Sequence, residues 1–284
     1  MTEQEKLIGK HPESPHILGE WLTYVDQPTT AIKKHRKLTE NIDLRRKAID
    51  YIATWIIEHH IIEQKIDFLE RKAQILQKYE FDKFVDFQHL LPTADITMKG
   101  NVTEIIFVEY LKESTNFTPF IYKLRYNPNV EQSMKGDDVL LFNPAKVFDK
   151  VIYGESKYRS EPSKNVVKEV IANLEEGKKL PVSIGFVANI LYDQGDDVFA
   201  DKLMDLQVLL KDEKFNVNNV GFLLSTKSTI PSKDTYTQVE NHLNTTNPNL
   251  VFVSLGIDNP SEIVEESFKL ARERLLNIKQ DEAN

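Results

Sequence analysis

Two apolar segments that carry acidic residues, joined by a short connection, constrain the fold of this chain most. The first is 135–142 and the second is 150–158, in which Glu155 is followed two residues later by Lys157. Because side chains alternate between the faces of a strand, Glu155 and Lys157 should share one face of the second strand. If the first strand pairs with the second, Asp138 can lie close to Glu155 and Lys157. Charges on an apolar sheet are costly to bury without a ligand, so the pattern predicts a site for a hard cation and an activated water.

Length and composition limit the class of protein. A chain of 284 residues predicts one large domain or two unequal ones, and 40% hydrophobic with 28% charged residues is typical of a soluble globular protein. No cysteine is present, which excludes disulfides, thiolate metal sites and cysteine nucleophiles. No apolar run approaches the roughly 20 residues that span a bilayer. We therefore expect a cytoplasmic protein without a membrane partner.

The net charge of −8 argues against a protein that coats nucleic acid unaided, because neutralisation of phosphates dominates such binding. A local basic patch or a partner protein would have to supply the attraction. The basic runs 33–37 and 45–47 offer one such patch, although we prefer to interpret them as solvated charges on a structural cap.

The N-terminal third differs from the remainder. From Thr29 to Leu91 the chain contains neither proline nor glycine, and Ile49, Ile52 and Ile56 recur at helical spacing. We predict two or three helices here, which would form an N-terminal helical cap over residues 1–95.

Beyond residue 95, helical and strand patterns alternate, which predicts a three-layer α/β domain over residues 96–284 with a mixed central sheet. The predicted helices are Val102–Lys112, Ser163–Glu176, Val198–Leu210 and Ser261–Ile278. The predicted strands are Thr118–Leu124, Asp138–Phe142, Lys150–Tyr158, Pro181–Asn189, Val220–Thr226 and Leu250–Leu255.

The opening order of this domain and its acidic residues resemble the PD-(D/E)xK nuclease superfamily, whose core is a helix, three antiparallel strands, a helix and a further strand. The resemblance implies a restriction-endonuclease-like core in which Asp138, Glu155 and Lys157 form the catalytic motif, and Glu104 adds a carboxylate from the first helix. This chain departs from the motif because Asp137 and Asp138 form a doublet that no proline precedes. The motif alone does not decide which of the two aspartates faces the predicted site. We prefer Asp138, since it is in phase with the apolar residues that follow it.

Three shorter blocks give a finer resemblance, to the HamA family of nuclease-like subunits in the Hachiman anti-phage system. They are Lys99–Glu104, Gly136–Leu140 and Tyr153–Tyr158, and the resemblance extends over about residues 80–280. It implies a Mg²⁺- or Mn²⁺-dependent DNA endonuclease that a helicase partner holds inactive and releases onto DNA. The rival interpretation is a nuclease fold retained as a non-catalytic subunit that binds a helicase.

The residue types indicate a role for each member of this predicted site. Asp138, Glu155 and the main-chain carbonyl of Ser156 would supply oxygen ligands to Mg²⁺. Lys157 would orient or deprotonate the attacking water, and Glu104 could bind a metal-bound water or a second cation. Three basic residues that follow the motif strand could track DNA phosphates: Arg159, Lys164 and Lys168.

Each of these residues also has a purely structural interpretation. Asp138 could be a turn residue at the start of a strand, and Glu155 with Lys157 an exposed ion pair of little energetic value. With Asn101 as the first cap residue, Glu104 would occupy the position that completes a helical capping box. The basic residues could lie on a solvated helix face.

Overall fold

The computed structural model of this chain describes residues 1–79, 90–132, 137–177, 179–211 and 215–277. Its helices are α1 (Glu3–Ile8), α2 (Ile17–Trp21), α3 (Arg45–His60), α4 (Glu63–Lys78), α5 (Asp95–Ser114), α6 (Lys164–Glu176), α7 (Leu180–Asp193), α8 (Asp197–Lys211), α9 (Thr235–His242) and α10 (Pro260–Asn277). Its strands are β1 (Leu22–Asp26), β2 (His35–Glu40), β3 (Val139–Phe142), β4 (Lys150–Arg159), β5 (Asn216–Thr226) and β6 (Leu250–Ile257).

All six strands form one sheet in the order β1-β2-β6-β5-β4-β3. The four central strands, β2, β6, β5 and β4, run parallel to one another. The edge strands β1 and β3 pair antiparallel with β2 and β4. The prediction of an α/β fold with a mixed sheet flanked by helices is therefore confirmed.

Alternating side chains of the strands pack into two separate hydrophobic clusters. Ile152 and Phe222 belong to the cluster that contains α3, α5 and α10, while Val151, Tyr153 and Leu223 belong to the cluster that contains α6, α7 and α8. Because neighbouring residues of one strand enter different clusters, the sheet lies between two helical layers. No helix in the described ranges combines the length and the apolar character needed to cross a bilayer.

Several predicted elements are confirmed with small shifts in their ends. Helix α6 begins where Ser163 accepts a hydrogen bond from the main chain of Val166, and it ends at Gly177, which has a left-handed backbone (φ 56°). Strands β5 and β6 are each longer than predicted. The last helix is described as far as Asn277, so its predicted end at Ile278 lies outside the described residues, as does Gly136.

Two predicted strands are wrong. The segment Thr118–Leu124 makes a single bridge, between Thr118 and Phe142, and then enters a 3-10 helix at Lys123. Pro119 follows that bridge and has no main-chain N–H with which to continue a ladder. The run Pro181–Asn189 belongs to α7, whose buried residues recur at helical spacing while Val182 is 70% exposed. A short apolar run alone does not distinguish a buried strand from a helix.

The N-terminal region is not all helical as expected, because β1 and β2 lie within it. Strand β2 pairs in parallel with β6, which places the N-terminal region in the same sheet as the remainder. The predicted stripe of Ile49, Ile52 and Ile56 is buried on α3 in the cluster that also holds α5. The division of the chain at residue 95 stays a prediction.

Helix α5 begins at Asp95 rather than at Val102. Asn101 therefore lies inside the helix, where its buried side chain contacts His60 Nε2 at 2.9 Å. Since a capping box requires the cap residue at the start of a helix, the capping interpretation of Glu104 is wrong.

Candidate active site

A close approach between α5 and β4 places Glu104 near the motif strand. A Cβ atom at Gly154 would lie 2.6 Å from the ring of Phe107 and 3.0 Å from Val139, so only glycine fits at this position. Gly154 is paired with Val139 on the antiparallel neighbour β3. The glycine that precedes Glu155 thus lets α5 pack directly against the strand pair that carries the motif.

Asp138 lies immediately before β3 and is tied to β4. Its Oδ2 atom accepts hydrogen bonds from the Ser156 main-chain N–H at 2.7 Å and from the Ser156 hydroxyl at 3.0 Å. Its other oxygen, Oδ1, lies 3.7 Å from the Lys123 ammonium. These contacts span two strands, so the interpretation of Asp138 as a turn residue that bonds its own backbone does not describe it.

Glu155 and Lys157 form a contact on β4 that is not exposed. The Glu155 side chain is 3% exposed, and its Oε1 accepts from Lys157 Nζ at 2.7 Å and from Asn173 Nδ2 of α6 at 2.9 Å. Lys179 Nζ lies 3.6 Å from the other carboxylate oxygen. Lys157 also lies 3.6 Å from Glu169. Burial rules out a solvated ion pair on an exposed edge for the glutamate.

Glu104 faces the same group of charges from α5. Its Oε2 lies 3.1 Å from the ammonium of Lys123, which begins the 3-10 helix Lys123–Tyr126. The pKa of Glu104 is raised to about 8, mainly by burial. The charges of Asp138 and Glu155 add to this rise, and the charge of Lys123 opposes it. The charges of Asp138 and Glu155 therefore act on Glu104, which places the three acidic side chains in one region.

Asp137, the other member of the doublet, takes a different position. It is buried, its main-chain N–H donates to the Ser183 hydroxyl at 3.2 Å, and neither of its carboxylate oxygens has a hydrogen-bond partner among the described residues. Burial raises its pKa to about 6, which the nearby hydroxyls of Ser183 and Tyr153 and the charge of Lys123 lower only in part. A buried carboxylate without partners is unusual in a protein interior. The preference for Asp138 over Asp137 as a ligand stays a prediction.

A pocket of about 160 Å³ opens beside these acid groups. Its walls are mainly apolar and include Phe120, Tyr122 and Phe186, while Glu104, Asp137, Asp138 and Lys123 line it as well. The site thus has polar groups that meet at the edge of an apolar cleft, a common arrangement for ligand binding.

The three basic residues predicted to track phosphates lie at the surface. Arg159, at the end of β4, is 3.5 Å from Glu169, whereas Lys164 and Lys168 are exposed on α6. All three belong to the elements that hold Glu155 and Asn173, so they border the site without lining the pocket.

The donor set suits a hard divalent cation, because it consists of carboxylate oxygens and includes a buried, unpartnered carboxylate at Asp137. Even so, among the residues that the structure describes, no three His, Cys, Asp or Glu side chains are grouped closely enough to hold a metal ion. Instead, Lys123 lies against Glu104 and Asp138, and Lys157 lies against Glu155. The acids fit the ion chemically, and in this arrangement ammonium groups neutralise them.

Sequence reasoning missed Lys123 and Asn173. Lys123 lies in a segment that was expected to be a strand, and Asn173 lies on a helix with no motif around it. The spacing of Asn173 and Glu169, four residues apart on α6, is the single signal that could have placed both on one helix face.

Comparison with known proteins agrees with the three sequence blocks. The HamA family model matches residues 15–271 of this chain. The Hachiman protein HamA of Bacillus cereus is 39% identical over 276 residues, which cover 97% of this chain and 98% of that protein. The match includes β1 and β2 as well as the strands that carry the candidate site. The resemblance to this family is therefore confirmed over far more of the chain than the blocks alone indicated.

Proposed function

This chain belongs to the HamA family, and from that premise we propose that it is the nuclease subunit of a Hachiman anti-phage defence system. Its activity would be endonucleolytic cleavage of DNA that depends on Mg²⁺ or Mn²⁺, within a PD-(D/E)xK core. That core would consist of α5, the strand pair β3 and β4, helix α6 and the parallel strand β5.

The observation that carries this proposal is the group of acids with two lysines at the junction of α5, β3 and β4, in which Glu104 and Glu155 are buried and Asp138 is partly buried. Burial and the charges of Asp138 and Glu155 raise the pKa of Glu104, and groups with strongly raised or lowered pKa values concentrate at functional sites. Burying several charges in one region is costly even when each has a partner, so their presence here favours a functional role.

The residues of the site would have separate roles in binding the cation, activating the water and contacting DNA. Asp138, Glu155 and the carbonyl of Ser156 would hold the cation, with Glu104 beside them. The cation, when bound, would polarise the scissile phosphate and lower the pKa of a water. Lys157, held at 2.7 Å by Glu155, would orient or deprotonate that water and offset charge on the phosphorus. Lys164 and Lys168 would contact DNA phosphates alongside.

A supercoiled-plasmid nicking assay, with Mg²⁺ or with EDTA, tests the enzyme directly. We expect wild-type protein to nick only with the cation, and Glu155→Ala or Lys157→Ala to lose at least about 100-fold in rate. Thermal melts would show that both variants are folded. Full Mg²⁺-dependent nicking by either variant would contradict these roles.

The second candidate is a nuclease fold that binds a helicase and does not cleave. It is favoured by the described lysine contacts, which neutralise the acids in place of a cation. A wild-type protein that never nicks DNA, alone or with its partner, under conditions in which it binds that partner, would support this candidate over the enzyme.

Restraint by a helicase is a separate part of the proposal. The net charge of −8 disfavours spontaneous capture of intact duplex, so a partner would deliver the subunit to DNA. Co-expression with a helicase of the same defence system should give a stable complex that nicks plasmid more slowly than the free subunit, and ATP with damaged DNA should release the restraint. Equal nicking by the free and complexed subunit would contradict this model.

A further inference from the structure

Lys123 lies between two acidic side chains of the candidate site. Its ammonium is 3.1 Å from Glu104 Oε2 and 3.7 Å from Asp138 Oδ1, and it donates a hydrogen bond of 2.6 Å to the main-chain carbonyl of Asp137. Two carboxylates and one carbonyl therefore surround a single cationic nitrogen. These are the oxygen types that bind Mg²⁺ and Mn²⁺.

We propose that Lys123 is a built-in counter-ion that occupies the cation position, so that a divalent cation binds to this site only by displacing the Lys123 side chain. The proposal rests on the proposed function, since it concerns the same acid groups. It adds a residue that competes with the cofactor, and that competition sets the cation affinity of the site.

Charge supplies the first argument. With Lys123 in place, a divalent ion that used Glu104 and Asp138 would lie in direct contact with an ammonium, and the repulsion between them in a buried site is large. Without Lys123 or a cation, the same two acids would face each other unpaired. These carboxylates can therefore hold either the Lys123 ammonium or a divalent cation, but not both at once.

The surroundings of Lys123 supply the second argument, because they allow its side chain to move while its backbone stays. The preceding residue, Tyr122, is held by a hydrogen bond from Lys112 at 2.7 Å and by its ring contact with His59, whose centroid is 4.1 Å away. The pocket of about 160 Å³ is lined by Lys123 itself. A flexible four-carbon stem can therefore leave the acids and enter adjacent open space.

Isothermal titration of Mn²⁺ into metal-free, full-length protein tests the competition. Lys123→Met should bind Mn²⁺ about tenfold more tightly than wild type, because no ion pair has to break. Lys123→Arg, which keeps the charge, should bind no more tightly than wild type. Equal or weaker binding by Lys123→Met would overturn the proposal.

Lys179→Met is the matched control, since Lys179 contacts an acid of the candidate site, Glu155, but does not lie between Glu104 and Asp138. Its Mn²⁺ affinity should change by less than about threefold, the size of a general charge effect. A gain equal to that of Lys123→Met would show that any positive charge weakens binding, and would overturn the specific role. Adding Asp138→Asn to Lys123→Met should remove the gain, because Asp138 is one of the two carboxylates beside Lys123, and a gain that persists would place the ion elsewhere and also overturn it.

A measurement on wild-type protein decides the question if Lys123→Met does not fold. Reductive methylation followed by mass spectrometry reports the accessibility of each lysine amine. Labelling of Lys123 should rise several-fold when Mn²⁺ is added, while labelling of Lys164 stays constant. Unchanged labelling of Lys123 at saturating Mn²⁺ would overturn the proposal. Because both tests read cation binding, loss of DNA cleavage alone would count against the nuclease and not against Lys123.

Discussion

Helix α5 buries two glutamates, Glu104 and Glu109, and their surroundings differ in kind. Glu109 has balanced partners: its carboxylate contacts His59 Nε2 at 2.7 Å and Lys112 Nζ at 2.8 Å, and the Tyr122 hydroxyl at 3.4 Å. Glu104 contacts Lys123, the residue next to Tyr122, and otherwise faces the like charges of Asp138 and Glu155.

The pKa values of the two carboxyls express this difference. Burial alone would raise the pKa of Glu109, but His59 and Lys112 hold it below its ordinary value. Burial and like charges together raise the pKa of Glu104 to about 8. One helix thus carries a structural ion cluster, which joins α3 to α5, and a destabilised acid group of the kind found at functional sites. The comparison shows that burial of a charge by itself does not identify a site.

The largest expected difference between the two glutamates is in DNA cleavage. Glu104→Gln should lower the nicking rate by at least about 100-fold, since glutamine keeps the size of the side chain but is a poor cation ligand. Glu109→Gln should stay within about threefold of wild type, because its cluster does not touch the reacting groups. Initial rates on supercoiled plasmid measure both. Equal losses in the two variants would remove the functional distinction between them.

The next largest difference is in stability, where substitution of Glu109 should have a larger effect than substitution of Glu104. Glu109→Ala leaves His59 and Lys112 without their buried anion, and should lower the free energy of unfolding by about 3–5 kcal/mol. Urea denaturation at pH 7 measures the change, with Glu109→Gln as the milder control. A loss below about 1 kcal/mol would mean that the Glu109 cluster contributes little beyond a surface pair.

The smallest expected effect is the pH dependence of stability that Glu104 creates. Its pKa is about 8 in the folded chain and 4.5 ordinarily, so between these values the folded state binds more protons than the unfolded state. The stabilising contribution of protonated Glu104 is complete below pH 4.5 and is lost as pH rises through about 8. Glu104→Gln should remove this fall.

Denaturation of both proteins in EDTA, at pH 5.5 and pH 8.5, measures the effect. Relative to wild type, Glu104→Gln should gain stability on going to the higher pH, by an amount on the order of 1–3 kcal/mol. Glu109→Gln serves as the control and should show no such gain, because the pKa of Glu109 is lowered. Parallel pH profiles for wild type and Glu104→Gln would contradict the raised pKa.

Local sequence patterns were sufficient for the strand pair and for the helix after it. The alternation in β4 put Glu155 and Lys157 on one face, and Ser163 and Gly177 marked the ends of α6, because caps and strand periodicity depend on a few neighbouring residues. Pattern failed where the same residues suit two structures. The apolar run from Pro181 predicts a strand, yet its proline suits the first turn of α7 and its buried residues follow a helical period.

The sequence by itself determined the α/β class and put Glu155 and Lys157 on one face of a strand, since both follow from the order of residues along one or two strands. Only the tertiary structure decided that Glu104 is no cap, that β2 joins β6, and that Lys123 lies between two carboxylates. Those facts depend on contacts between residues distant in the chain. Such contacts are set by how whole helices and strands pack, and no local period records them.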